Sequence, residues 1–215
     1  MVFRIDLKIF IFLIILYFTK QIEIYWIIMI FAFLHELGHL IAGILLKMKV
    51  KKFSIMPAGF SIEFAIKETD YNKKILKSNI LEIKKIIVAI SGPFINLLVI
   101  AIIILIGNKS KILTNIIYSN FLIAVFNLLP IYPLDGGRIL KSILCLIKKR
   151  KYGILYTNII SNITLFLLSF LSSILIYYYK NWIIIVMLIY LWYIVLKQNK
   201  ICRMKLKLYE TLENL

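Results

Sequence analysis

The chain contains two histidines, and they stand four residues apart in His35-Glu36-Leu37-Gly38-His39. On a helix this spacing stacks both imidazoles on one face, one turn apart, which is the geometry for two ligands of one zinc ion. Glu36 is rotated off the ligand line but can reach a water in the open position of such an ion, where a carboxylate serves as general base. A string of this kind can be accidental, and a single buried histidine is usually a hydrogen-bonded core residue. With two histidines and seven glutamates in 215 residues, the coincidence arises roughly once in a few thousand such chains. Two histidines leave zinc short of a protein ligand. Of the three aspartates, Asp6 sits near the N-terminus, Asp70 lies in a polar stretch, and Asp135 closes the run Asn127-Leu-Leu-Pro130-Ile-Tyr-Pro133-Leu-Asp135. Asp135 is the candidate third ligand; the alternative is a plain turn before a cytoplasmic helix.

The segments that must position these groups are apolar. Hydrophobic residues make up 62% of the chain and the mean hydropathy is +0.92, which excludes an ordinary soluble domain. Six segments approach the length of about 20 residues that a membrane span needs: 5–19, 24–46, 86–106, 112–134, 152–179 and 182–196. The expected fold is therefore an all-α polytopic membrane protein of about six transmembrane helices. A small β-hairpin around Pro57-Ala58-Gly59, from Phe53 to Phe64, is expected between the second and third. His35 falls about 18 Å along a helix from Lys47, near the bilayer centre, where ionisable clusters are costly and normally functional. Pro130 and Pro133 should end the fourth helix near Leu128. The backbone freed by Gly136 and Gly137 could then lie at the depth of the zinc, lining a wet cavity.

A net charge of +17 would suggest nucleic acid as partner in a soluble protein. Here 23 of the 27 basic residues fall in the segments before the first span, between 47 and 85, between 138 and 151 and after 196. That clustering follows the positive-inside rule, so the basic balance implies anionic lipid and no nucleic acid, with both termini in the cytoplasm. Cys145 and Cys202 lack metal-site spacing and fall on that reducing side, so no disulfide is expected. No small-residue cleavage site follows the first apolar run, which reads as a retained span. The isoleucine and lysine bias points weakly to a low-GC bacterium, hence a multi-pass protein of a bacterial cell membrane. The stretch 67–85 reads as a lysine-rich helix at the headgroups. Residues 1–199 form the expected six-span domain, with its core motifs in 24–147 and its cytoplasmic hairpin and basic loop in 47–85, and 200–215 a short tail.

Smaller features read as packing. Gly38 and Ala42 make a small-xxx-small pair, Gly92 and Pro93 shape the third span, and Asn96 can hydrogen-bond across helices. Tyr177 to Tyr179, Trp182 and Trp192 read as an interfacial belt. Arg138 reads as a partner for a lipid phosphate, or else as a charge neutralising the site.

Taken together, HELGH at 35–39, Met56-Pro57-Ala58-Gly59, Ser91-Gly92-Pro93-Phe-Ile-Asn96 and NLLPIYPLDGG at 127–137 resemble the site-2 proteases, intramembrane zinc metalloproteases that cut membrane-associated proteins. These motifs cover most of residues 24–147. The resemblance implies one zinc per chain on His35, His39 and Asp135, Glu36 as catalytic base, and Asn127 as a contact to substrate or oxyanion, with Pro133 and Gly59 on the substrate side. The layout is most similar to the branch of the stage IV sporulation protein FB, which implies a sigma factor K precursor or another membrane-tethered regulator as substrate, with membrane regulatory proteins as further partners. Members of that branch usually carry a nucleotide-binding CBS domain, and none is expected here, because the chain stops about 19 residues after the sixth span. The rival from another class is a non-catalytic zinc-binding membrane scaffold or a metal transporter. The sequence leaves oligomeric state open.

Overall fold

The isoleucine-rich runs become helices because, without water to solvate them, backbone groups must pair within their own segment. The computed structural model describes residues 2–5, 22–56, 59–65, 75–107, 110–148, 150–179 and 182–213. Their order is β1 (Val2–Ile5), α1 (Ile22–Leu45), β2 (Lys49–Met56), β3 (Gly59–Ala65), α2 (Ile75–Ile106), α3 (Lys111–Asn127), α4 (Asp135–Ile147), α5 (Arg150–Tyr179) and α6 (Trp182–Glu213). Among the described residues four stretches are long and apolar enough to cross a membrane: Trp26–Leu45, Asn79–Ile106, Arg150–Tyr178 and Ile184–Thr211.

The six-span expectation is therefore met for four segments. The first predicted span, 5–19, lies outside the described residues except for Ile5, which ends strand β1. The fourth, α3, has 17 residues. At about 25 Å it is shorter than the roughly 30 Å hydrocarbon core. The expected early end is present: α3 stops at Asn127, ahead of Pro130 and Pro133. One other expectation changes. Residues 75–85 are not a separate surface helix but the first turns of α2, because their apolar spacing continues in phase into the span. The segment after residue 199 continues α6 to Glu213.

The chain divides into two compact units, Met1–Asn127 and Leu128–Leu215. In the first, α1 packs on both α2 and α3. Glycine lets α1 and α2 approach closely, since a Cβ on Gly38 would stand 2.8 Å from both Ile95 Cγ1 and the Ser91 carbonyl oxygen. One turn after His39, Gly43 likewise lies against the Phe64 ring of β3. Helix α1 ends in a Schellman motif: Lys47 N–H donates to Ile44 O and Met48 N–H to Gly43 O, each at 2.9 Å. Lys47 takes the left-handed conformation, φ 57°, that glycine usually fills there. Strand β2 follows at once and pairs antiparallel with β3 in the register Ser54 to Ser61. The proposed turn residues Pro57 and Ala58 lie outside the described residues. An unanticipated third strand, β1, pairs parallel with β2, giving the order β1-β2-β3.

The second unit begins with a non-helical stretch, 128–134, that folds back over the start of α4. A Cβ on Gly136 would meet the carbonyl of Leu128, and one on Gly137 the backbone at Ile131 and Tyr132. This is the physical reason for two consecutive glycines after Asp135. Ser161 of α5 anchors the same stretch by accepting from Tyr132 N–H at 3.0 Å while donating to Thr157 O at 2.8 Å. Helices α5 and α6 are held together by Leu165, Leu191 and Val195, all buried, and by a reciprocal amide pair, Asn162 with Asn199.

Candidate metal centre

His35 and His39 are both buried on α1, facing α2. His35 Nδ1 pairs with Asn96 Oδ1 at 2.5 Å, and His39 Nδ1 with the Val88 carbonyl oxygen at 2.6 Å. Both partners can only accept, so each imidazole must carry its proton on Nδ1 and present a lone pair at Nε2. The two Nε2 atoms then face each other at 3.1 Å. Two lone pairs at that distance repel. A shared cation removes the conflict. Nitrogens bound tetrahedrally to one zinc at about 2.05 Å are about 3.3 Å apart, so the pair fits that ion closely.

The surroundings fit as well. A Cβ on Gly92 of α2 would stand 2.5 Å from His39 Nε2 and 2.6 Å from His35 Nε2. Any side chain at that position would fill the space onto which the nitrogens converge. Asn96 in turn donates through Nδ2 to Asn120 Oδ1 of α3 at 2.8 Å, and Asn120 Nδ2 donates to Ile116 O at 2.9 Å. Asn96 and Asn120 are fully buried. This amide chain fixes the orientation of Asn96, so its oxygen, not its nitrogen, meets His35. Ser91 Oγ donates to the same Val88 carbonyl at 2.7 Å and helps hold the acceptor of His39. Outer partners of this kind set the tautomer and aim of metal-binding imidazoles.

The other predicted residues are placed as follows. Glu36 is half-buried on α1 next to His35. Asp135 is buried in the first turn of α4 in the second unit, where the positive end of the helix favours a carboxylate. Arg138 Nη1 stands 3.6 Å from Asp135 Oδ1, an approach in keeping with the charge-neutralising alternative. Asn127 is half-buried at the end of α3 and donates to Ile123 O at 3.0 Å. Pro133 lies in the 128–134 stretch after a cis bond from Tyr132, and Gly59 opens β3 opposite Met56. Sequence reasoning missed Asn120 and the roles of Ser91 and the Val88 carbonyl. For Asn120 a signal existed, an amide in the middle of an apolar helix, but nothing in the sequence paired it with Asn96.

Peptidase family M50 matches residues 24–116 and 108–171, well over half of the chain. The chain belongs to peptidase family M50. A zinc metalloprotease of Methanocaldococcus jannaschii is 31% identical over 138 residues, 60% of this chain and 36% of the relative, so the chain spans about a third of that relative's length. Among solved structures, a site-2 protease from the same organism superposes with a TM-score of 0.64 at 19% identity, covering 90% of this chain and 88% of the other. That likeness shows a common fold. The four motifs singled out in the sequence, at 35–39, 56–59, 91–96 and 127–137, all fall within the matched residues.

Proposed function

We propose that the chain is a zinc-dependent intramembrane endopeptidase that hydrolyses a peptide bond in a membrane-associated protein. The observation carrying this reading is the pair of imidazoles anchored at Nδ1, with their Nε2 atoms converging to 3.1 Å, beside the half-buried Glu36. His35 and His39 would hold the ion through Nε2, and Asp135, the buried carboxylate in the first turn of α4, would serve as the third ligand. Zinc bound there supplies Lewis acidity, polarising the scissile carbonyl and lowering the pKa of water. Glu36 accepts the proton of the attacking water and passes it to the leaving amine. Asn127 would donate to the substrate carbonyl, with Pro133 and Gly59 shaping the approach.

A helical peptide bond is shielded, so the substrate must arrive extended. Because β1 takes the outer edge of β2, strand addition would use the outer edge of β3. The charge distribution supports a multi-pass cell-membrane protein with cytoplasmic termini. Candidate substrates are membrane-tethered regulators, among them a sigma factor K precursor. Co-expression with such candidates, followed by mapping of the cut, tests the reading. Glu36→Gln should keep zinc and lose cleavage, because the ligands remain while the proton acceptor is gone. Cleavage by this variant would refute the mechanism, and a wild type that binds zinc yet cuts no candidate would favour a scaffold or transporter.

A further inference from the structure

The polar half of the second unit plays no part in the chemistry above. Helices α5 and α6 run antiparallel, with Asn162 facing Asn199 and Ile154 facing Cys202. An apolar layer of about 30 Å takes about 20 helical residues. Measured from the neighbouring ends at Tyr179 and Trp182, it closes near Ile160 on α5 and Ile201 on α6. Phe166, Leu167, Phe170 and Ile189 are exposed within that layer. At its closing edge a half-open cleft is lined by Tyr132, Lys141, Asn158, Gln198 and Lys205 around a wall that includes Ile154 and Cys202.

Lys141 and Lys205 are the charged residues that line the cleft. Lys141 Nζ stands 4.5 Å from the centre of the Tyr132 ring. No carboxylate lines the cleft, and among the described residues neither Lys141 nor Lys205 is ion-paired. Two lysines held near one another without a counterion repel, so the site favours an anion.

We propose that this cleft holds the phosphodiester headgroup of an anionic phospholipid. Lys141 and Lys205 supply the charge, and the amides of Asn158 and Gln198 donate hydrogen bonds to phosphate oxygens. The level of the cleft selects this source over a soluble phosphate: it sits where headgroups meet the apolar layer, and the acyl chains then run down the exposed faces of α5 and α6. The inference is independent of the proteolytic reading.

The test uses the intact purified protein in detergent, with phosphatidylglycerol or phosphatidylcholine added and bound lipid read by native mass spectrometry. Phosphatidylglycerol should bind in preference. Lys141→Gln and Lys205→Gln should each weaken it by about fivefold and together by about 25-fold, with phosphatidylcholine unaffected. Lys207→Gln, on the same helix but outside the cleft, removes the same charge and should leave binding within twofold. Equal phosphatidylglycerol binding by the double variant and wild type would overturn the proposal. So would an equal loss in Lys207→Gln, which would reduce the effect to bulk charge. Displacement of the lipid by millimolar inorganic phosphate would assign the cleft to a soluble anion and overturn the lipid assignment. If Lys141→Gln fails to fold, Lys205→Gln at an exposed position decides alone.

Discussion

Replacing Asn96 by leucine removes the acceptor of His35 Nδ1 while keeping side-chain volume. Asn96 and its partners are buried, so no water takes over. The His35 Nδ1–H is left unsatisfied, which costs about 1–3 kcal/mol, and the tautomer that opens Nε2 loses its preference. Loss of an outer partner of a metal-binding histidine lowers affinity by about 10–100-fold, or about 1.4–2.7 kcal/mol, so two independent routes reach the same magnitude. Asn120→Leu touches no histidine and frees only Asn96 Nδ2, so a loss of roughly a few-fold is expected. The two bonds lie in series, from His35 to Asn96 to Asn120. The double variant should therefore be no worse than Asn96→Leu alone, a non-additivity that a merely structural role would not produce. Asn96→Asp keeps the acceptor for His35 but sets an oxygen against Asn120 Oδ1, so it should recover most, not all, of the affinity. The assay is equilibrium competition for zinc against a chelator, with metal counted on the purified variants. A zinc affinity for Asn96→Leu within twofold of wild type would refute the reasoning.

Three further outcomes are expected. Asp135→Asn should weaken zinc binding and abolish cleavage by removing an anionic ligand, and normal zinc content in Asp135→Ala would place the third ligand elsewhere. Gly92→Ala should lose the metal while the helices remain, because its Cβ would stand 2.5–2.6 Å from the two Nε2 atoms; metal counting together with circular dichroism separates the two effects. Lys47→Gly should raise thermal stability in detergent by roughly 0.5–1 kcal/mol, since it relieves a left-handed lysine whose strain exceeds the entropic cost of glycine, and a lowered melting temperature would count against the Schellman reading.

The chemistry proposed for this protein was legible in its sequence because it depends on residue type and short spacing. Four residues between His35 and His39 define one helix face whatever surrounds them, and a chain poor in histidine makes the pair conspicuous. Pro130 and Pro133 announced the end of α3 for an equally local reason, the missing amide hydrogen and the restricted residue before each ring. Glycine at 136 and 137 indicated free backbone, although the sequence could not say that the preceding stretch lies directly on it.

What remained hidden depends on contacts between distant segments. The pairing of β1 with β2 joins residues about fifty positions apart, through a strand too short to show periodicity. Asn96 meets His35 across 61 positions and Asn120 across 24, and no local pattern names an amide's partner. The membership of residues 75–85 in α2 was ambiguous because their lysines suit either a surface helix or the water-exposed start of a span. Arg138 carried the same ambiguity between lipid and protein, and only the structure shows its approach to Asp135. Residue types thus determined which metal chemistry the chain can hold. The packing of α1, α2 and α3 decided which nitrogen of each histidine carries the proton, because a tautomer is selected by its hydrogen-bond partner and not by its place in the sequence.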